Sequence, residues 1–360
     1  ELPTLREALE RVLEKVSPPR AEEVALDDAL GRVLASDVYA MVDSPPFDRS
    51  LVDGYAVRAE DTYQADEENP VELKLVGKID VGERPYVTIR EGECAEISTG
   101  APIPRGANAV VMIEYTSQSG DKVRIFRAVR PGENIAQVGS DISAGDLVLR
   151  RGRMLTAREI AAVAALGYSK VIVYKRPKIA VFSIGRELVK PGQPLELGKI
   201  YDVNGYSILG LLAELGLTAT FEGILPDDEE IILKSLRKAL EENDVVITSG
   251  GTSAGLGDLT YMVFEKLGRI IVHGVRVKPG KPTIIAITPD GRLLIGLPGF
   301  PLSAMMIFIS LVKPILLRLM GADVEEPDTI QAEAAFRLNL GGRTHLIPVH
   351  LIETSRGLRA

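Results

Sequence analysis

From Lys178 to Leu319 the chain repeats one pattern: a short, nearly unbroken apolar run followed by a longer amphipathic one. "KIAVFSI", "TATFEGIL", "DVVITSGG", "RIIVHGVRV", "PTIIAIT" and "RLLIGLPG" read as strands, and "YSILGLLAELG", "DEEIILKSLRKALEEN" and "LTYMVFEKLG" as helices. Strands with no polar face must be covered on both sides, and the intervening helices supply that cover. The pattern predicts a doubly wound, three-layer α/β domain. The apolar stretch that closes it, "AMMIFISLVKPILLRLM", is interrupted by Lys313, Pro314 and Arg318. It is expected to fall short of a membrane span and to form a core helix kinked near Pro314.

Upstream the texture differs. Residues up to about Val42 are helical in pattern, starting with an acidic amphipathic stretch that carries a Thr4–Glu7 capping box and continuing with "ALDDALGRVLASDV". From Asp43 to about Leu149, runs such as "VELKLVGKI", "NAVVMI" and "KVRIF" alternate with Gly and Pro turns, which predicts an all-β module. Helical pattern returns in "LTAREIAAVAALGY", with a Thr156–Glu159 capping box and Gly167 as its stop. The β module is therefore expected to be inserted between two pieces of one helical segment. After Ile330 the pattern is again β, and it reaches Ala360 before a closed module is complete.

Composition narrows the function classes. The chain has 360 residues, 46% hydrophobic and 26% charged, with a formal net charge of −8. That balance argues against nucleic-acid binding, which rests on clustered Lys and Arg, and an anionic ligand would need a local cationic patch. A single cysteine, Cys94, excludes an intramolecular disulfide and suits a reducing cytoplasm; it reads as a small buried hydrophobe. His273, His345 and His350 are too scattered to suggest a metal cluster. The start of the chain does not read as a signal peptide, and no membrane association is expected.

"TSGGTSAGLGD", Thr248 to Asp258, is the most unusual stretch. It has the outer glycine spacing of a P-loop, but Leu256 and Gly257 stand where Lys and Ser/Thr are needed. Gly255-Leu256-Gly257 is followed by Thr260 where a dinucleotide fingerprint needs a third Gly. Position favours a ligand loop nonetheless, because open α/β sheets bind ligands outside the carboxyl ends of their strands. Other strands end there in "FSIGREL" (Glu187), "ILPDD" (Asp227), "VKPGKP" (Lys278, Lys281) and "GLPGFP" (Pro298, Pro301). Each has a plain alternative: Asp227 and Asp258 as helix caps, the others as surface turns. Together, backbone amides and two lysines suit phosphate or an oxoanion, and carboxylates beside phosphate call for bridging Mg²⁺.

"FDRSLVDGYAVR", "ISTGAPIPRGANAVV", "GENIAQVGSDI", "GRELVKPGQPLELGKIYDVN", "LPDD", "VITSGGTSAGLGD", "VKPGKP" and "GLPGFPLSA" together resemble the molybdopterin molybdenumtransferases, related to the C-terminal domain of gephyrin. The resemblance implies four domains: a helical linker (1–42 plus 150–174), an inserted β domain (43–149), the molybdopterin-binding α/β domain (175–325) and a C-terminal β domain (326–360, incomplete). It implies insertion of molybdate or tungstate into the dithiolene of adenylylated molybdopterin with Mg²⁺-assisted release of AMP. It also implies a homodimer whose site is shared between subunits, with molybdopterin adenylyltransferase as upstream partner. Residues matching the family's active-site motifs are Asp53, Thr99, Asp141, Glu187, Asp227, Asp258, Lys278, Pro298 and Pro301. Asp227, Asp258 and Glu187 are then expected to hold Mg²⁺, and Lys278 with Lys281 to attract phosphate or molybdate. Ser249, Gly250, Gly251 and Ser253 are expected to seat phosphate. The chain departs from many relatives at Arg186 and Phe300, and from some at Ala136 and Gly274. Two other functions fit the same domains: a molybdopterin adenylyltransferase, and a non-catalytic gephyrin-like scaffold.

Overall fold

Alternate residues of the strand Ile179–Ile184 (β1) enter two different cores, Ile179 and Val181 on one side and Ala180, Phe182 and Ile184 on the other. The same division holds in Val245–Gly250 (β3), where Val245 and Ile247 face one way and Val246 the other. A strand buried on both faces forces a layer of helices on each side. The computed structural model, which describes residues 2–17, 19–251, 257–322, 328–337, 341–355 and 357–360, has that arrangement.

The remaining strands of this sheet are Ala219–Leu225 (β2), Arg269–His273 (β4), Ile284–Ile287 (β5) and Leu293–Leu297 (β6). The six lie in the order β2-β1-β3-β6-β5-β4. β2, β1, β3 and β6 are mutually parallel, whereas β5 runs antiparallel to both of its neighbours. Helix Leu5–Leu13, helix Asn204–Glu214 and the long C-terminal helix cover one face, contributing Val12, Ile208, Leu212, Phe308 and Leu311. Helices Glu229–Glu242 and Gly257–Leu267 cover the other through Ile232, Leu236, Val263 and Phe264. The expected three-layer α/β architecture is present.

Local signals explain most boundaries. Thr4 and Glu7 form the expected capping box, with Glu7 N–H donating to Thr4 Oγ1 at 3.2 Å and Thr4 N–H to Glu7 Oε2 at 2.8 Å. Gly216 (φ +70°) ends helix Asn204–Glu214 in the left-handed region that a side chain disfavours. Two expectations need correction. "ALDDALGRVLASDV" is not helical: Leu26–Asp28 is one 3₁₀ turn, and Ala21–Ala25 is a strand paired antiparallel with Lys170–Tyr174. The apolar periodicity there comes from residues such as Ala29, Val33 and Leu34 being buried by tertiary packing, not by a helical stripe. The stretch Pro301–Leu319 also does not fall short of a span. It runs as one 19-residue helical element of mean hydropathy 1.9, long and apolar enough by composition alone to cross a membrane. Ala304, Ile307, Phe308, Leu311, Val312, Ile315 and Leu316 nevertheless sit in the sheet's core. The element switches to π-helix over Phe308–Val312 just ahead of Pro314, which relieves the N–H the proline lacks.

The chain divides into two compact units, one of Glu1–Ser36, Arg151–Thr156 and Lys170–Ala360, the other of Asp37–Arg150 and Ala157–Ser169. The helix Ala157–Ala165 thus groups with the β module, not with helix Leu5–Leu13. The second unit is built on a six-stranded sheet that includes Gly54–Val57, Val71–Ile79, Glu93–Ile97, Ala109–Met112 and Lys122–Ile125. Gly54 is obligatory in it, since a Cβ there would lie 1.9 Å from the Val111 carbonyl oxygen.

Candidate active site

β1 and β3 run in register and end side by side at Ile184 and Gly250. A cavity of about 360 Å³ opens at this carboxyl edge, lined by Glu187, Asp202, Asn204, Ser249, Gly250 and Gly299 among others. Two glycines make room for it. Gly250 has φ +94°, and a Cβ on it would lie 2.1 Å from the Ile184 carbonyl oxygen. Gly251 has φ +66°, and its Cβ would meet Thr260 Oγ1 at 2.8 Å, the hydroxyl that donates to the Gly251 carbonyl at 3.0 Å. Only glycine lets the chain leave β3 this way.

The cavity floor is a buried polar network. Asn204 Nδ2 donates to Ser249 Oγ and to the Gly299 carbonyl, both at 2.7 Å, and Ser249 Oγ donates to the Pro298 carbonyl at 3.2 Å. Ser183 Oγ donates to Asp202 Oδ2 at 2.7 Å, while the Gly205 N–H donates to Asp202 Oδ1 at 3.0 Å. Asp202 and Ser183 are buried, so the carboxylate serves the start of helix Asn204–Glu214. One atom of this network, Asn204 Oδ1, has no partner among the described residues. A buried acceptor left open costs on the order of 1–3 kcal/mol, and a ligand N–H would remove that cost at Asn204. Above this floor the rim is apolar, with Ile200, Tyr201 and Val203 exposed.

Glu187 stands exposed at the cavity wall on a turn closed by the Leu188 N–H donating to the Gly185 carbonyl at 3.2 Å. Asp227 holds that turn from behind. Its Oδ2 accepts the Arg186 N–H at 3.1 Å and lies 3.5 Å from Arg186 Nε, and its side chain is only 4% exposed. Asp227 is not the cap of the next helix; Asp228 is, accepting the Ile231 N–H at 3.0 Å.

Family models place this architecture. One described as "MoeA N-terminal region (domain I and II)" matches residues 3–167, and one described as "Probable molybdopterin binding domain" matches 180–318. The molybdopterin molybdenumtransferase of Nostoc sp. is 36% identical over 338 residues, covering 91% of this chain and 78% of that protein. The chain belongs to the molybdopterin molybdenumtransferase family. A crystal structure of the molybdopterin biosynthesis MoeA protein from Pyrococcus horikoshii superposes with TM-score 0.83 at 35% identity, covering 100% of this chain and 89% of that one. Another structure of a molybdopterin biosynthesis MoeA protein from Pyrococcus horikoshii matches with TM-score 0.76 at 42% identity, over 89% and 81% of the two chains.

The residues nominated from sequence distribute unevenly. Glu187, Ser249, Gly250 and Pro301 line the cavity, and Pro298 supports it through Ser249. Lys278 and Lys281 are exposed but are not among its lining residues; Lys278 lies in a short strand paired with Thr344–His345. Ser253 and the side chain of Asp258 lie outside the described residues. Asp53, Thr99 and Asp141 belong to the second unit, where Asp53 and Thr99 form a pair. Thr99 N–H and Oγ1 donate to Asp53 Oδ1 at 2.7 and 3.0 Å, and these bonds, the backbone one foremost, hold the Asp53 carboxyl below its usual pKa. Asp141 is exposed, its N–H donating to the Ser44 carbonyl at 3.0 Å.

Asn204, Asp202 and Ser183 carried no role in the sequence reading. An acid and an amide straddling the start of a helix, as in "YDVNG", is the available signal, but it reads first as a cap. Their convergence on Ser249 and Gly299 requires the tertiary fold.

Proposed function

We propose that this chain is a transferase of molybdenum-cofactor biosynthesis and that its reaction takes place at the cavity between β1 and β3. In that reaction molybdate or tungstate enters the dithiolene of adenylylated molybdopterin while the phosphoanhydride breaks and AMP leaves. The observation that carries the reading is the unmatched acceptor Asn204 Oδ1, which shares the lining of an apolar-rimmed cleft with Gly250. A pterin offers ring and amino N–H groups of the kind that acceptor lacks. The left-handed turn at Gly250 and Gly251 is the kind of glycine backbone whose amides can seat a phosphate at such strand ends. Glu187, open at the wall, is positioned to orient or deprotonate a ligand group.

The described residues do not by themselves fit the expected magnesium ion. Glu187 is the open acid, Asp227 is covered and paired with Arg186, and no group of three metal-ligating side chains occurs among the described residues. No step is therefore assigned to the ion.

A homodimer is the proposed assembly, with the Asp53–Thr99 pair serving the cavity of a second copy and molybdopterin adenylyltransferase supplying the substrate. The cytoplasm is the proposed location, supported by a single, buried, reduced cysteine, Cys94.

The test supplies adenylylated molybdopterin and molybdate or tungstate to the purified chain and follows AMP. Release that depends on the oxoanion is expected, and silence with both oxoanions would refute the reading. ATP consumption with free molybdopterin would instead support an adenylyltransferase. For the dimer, mixing Asp53→Ala and Glu187→Ala preparations should restore activity that neither has alone; no restoration would sink the shared site.

A further inference from the structure

At the opposite edge of the same sheet lies a larger cavity, of about 550 Å³. Its walls come from the residues just before the parallel strands: Lys178 ahead of β1, Asp244 ahead of β3 and Arg292 ahead of β6. The segment "YKRPK" adds Lys175 and Arg176, and the N-terminal segment adds Arg20.

Charge distinguishes this hollow from an ordinary solvated turn. Five cations face two carboxylates there, in a chain whose net charge is −8. Both carboxylates are already engaged. Asp244 Oδ2 accepts the Lys178 N–H at 2.8 Å, and Asp290 Oδ2 pairs with Arg292 Nε at 2.8 Å. Arg20, Lys175, Arg176 and Lys178 have no carboxylate partner among the described residues. Arg176 is pre-placed, its Nη2 donating to the Leu30 carbonyl at 2.8 Å, and its Nε is a buried donor with no partner. A second hollow of about 390 Å³ shares Ser17 and Pro19 and adds Arg318.

Like charges drawn together around a concave surface repel one another unless an anion relieves them. Guanidinium and ammonium groups lining one cavity suit a ligand with more than one anionic group, and phosphate oxygens match both donor types. The volume lies in the range that holds a small metabolite. We infer that the amino-terminal edge of the sheet carries a second anion site, for a polyphosphate or a phosphorylated small molecule, held by Arg20, Lys175, Arg176 and Lys178. It lies across the sheet from the cavity assigned to catalysis and does not depend on that assignment.

The probe is inorganic pyrophosphate, titrated calorimetrically into the full chain at low and moderate salt. Binding that weakens steeply with salt is expected, and at least ten-fold loss in the double variant Arg20→Glu/Lys178→Glu, both exposed positions. An unchanged melting temperature for that variant shows that the loss is local. A parallel variant, Lys278→Ala/Lys281→Ala, separates the two edges by retaining this binding. Unaltered binding in Arg20→Glu/Lys178→Glu would overturn the inference. So would complete loss in Lys278→Ala/Lys281→Ala alone, or no binding by the unaltered chain. AMP release in the absence of pyrophosphate should be unchanged in Arg20→Glu/Lys178→Glu, so a failure of the second site is distinguishable from a failure of the catalytic reading.

Discussion

Asn204 Nδ2 reaches Ser249 Oγ at 2.7 Å across 45 residues of sequence, joining the start of a helix to the end of β3. The same amide holds the Gly299 carbonyl after β6, so one side chain ties three elements around the candidate site. Replacing Asn204 by Ala leaves Gly299 and Ser249 short of a donor, and should cost about 1–3 kcal/mol in unfolding free energy. AMP release should fall by at least an order of magnitude, about 1.4 kcal/mol in the barrier. Chemical denaturation and a coupled AMP assay check both; wild-type AMP release in Asn204→Ala would exclude that side chain from the site.

Gly250→Ala tests the backbone. The substitution places a methyl 2.1 Å from the Ile184 carbonyl oxygen at φ +94°, so β1 and β3 must separate or the turn must change. The conformational strain alone is worth about 1–3 kcal/mol. A lowered melting temperature with loss of activity is expected, whereas Gly192→Ala, at a glycine of similar φ (+89°) but with open space around its Cβ position, should carry the strain without the clash and show a smaller effect.

Acid should uncouple Asp53 from Thr99. The Asp53 pKa lies below its usual 3.8 because Thr99 donates two hydrogen bonds to the charged form. A depressed folded-state pKa means the stabilisation is complete above the unfolded value and is lost as pH falls through the folded one. Carboxyl carbon shifts followed by NMR should show Asp53 titrating below a reference carboxylate. In Thr99→Val, which removes the hydroxyl donor, the midpoint should move upward; an unmoved midpoint would show that this hydroxyl does not hold the acid.

Arg186 and Asp227 offer a direct check on cation binding. Arg186 covers Asp227, 4% exposed, through both its backbone N–H and its guanidinium. Arg186→Ala removes the competing charge but keeps the backbone bond that orients the Glu187 turn. Magnesium titration is expected to show tighter binding in this variant than in the unaltered chain. Equal affinity would mean that the pair does not screen Asp227 from cations.

Much of the architecture is legible in the amino-acid sequence. Near-continuous apolar runs such as "KIAVFSI" admit few fates other than a strand buried on both faces, and stops such as Gly216 act locally. The segment Ala25–Val38 misled because buried Val33 and Leu34 imitate helical spacing while their burial comes from distant residues. Periodicity reports which residues are buried and leaves open what covers them.

The site shows the same division. Motif chemistry alone picked out Glu187, Gly250 and Pro301 at the carboxyl edge, because the ends of parallel strands are where such folds leave a crevice. That Asp227 does not cap the following helix was decided by geometry: its neighbour Asp228 took the cap, while Asp227 accepts the Arg186 N–H and pairs with its guanidinium. Asn204 gained its place only when β3, β6 and the helix at Asn204–Glu214 met. By itself the sequence determined the layered α/β core, the inserted β module and the family, since these follow from local pattern and ordered motifs. Only the tertiary structure decided which polar groups meet, because a hydrogen bond between residues 45 or 95 apart depends on where the packed elements place them.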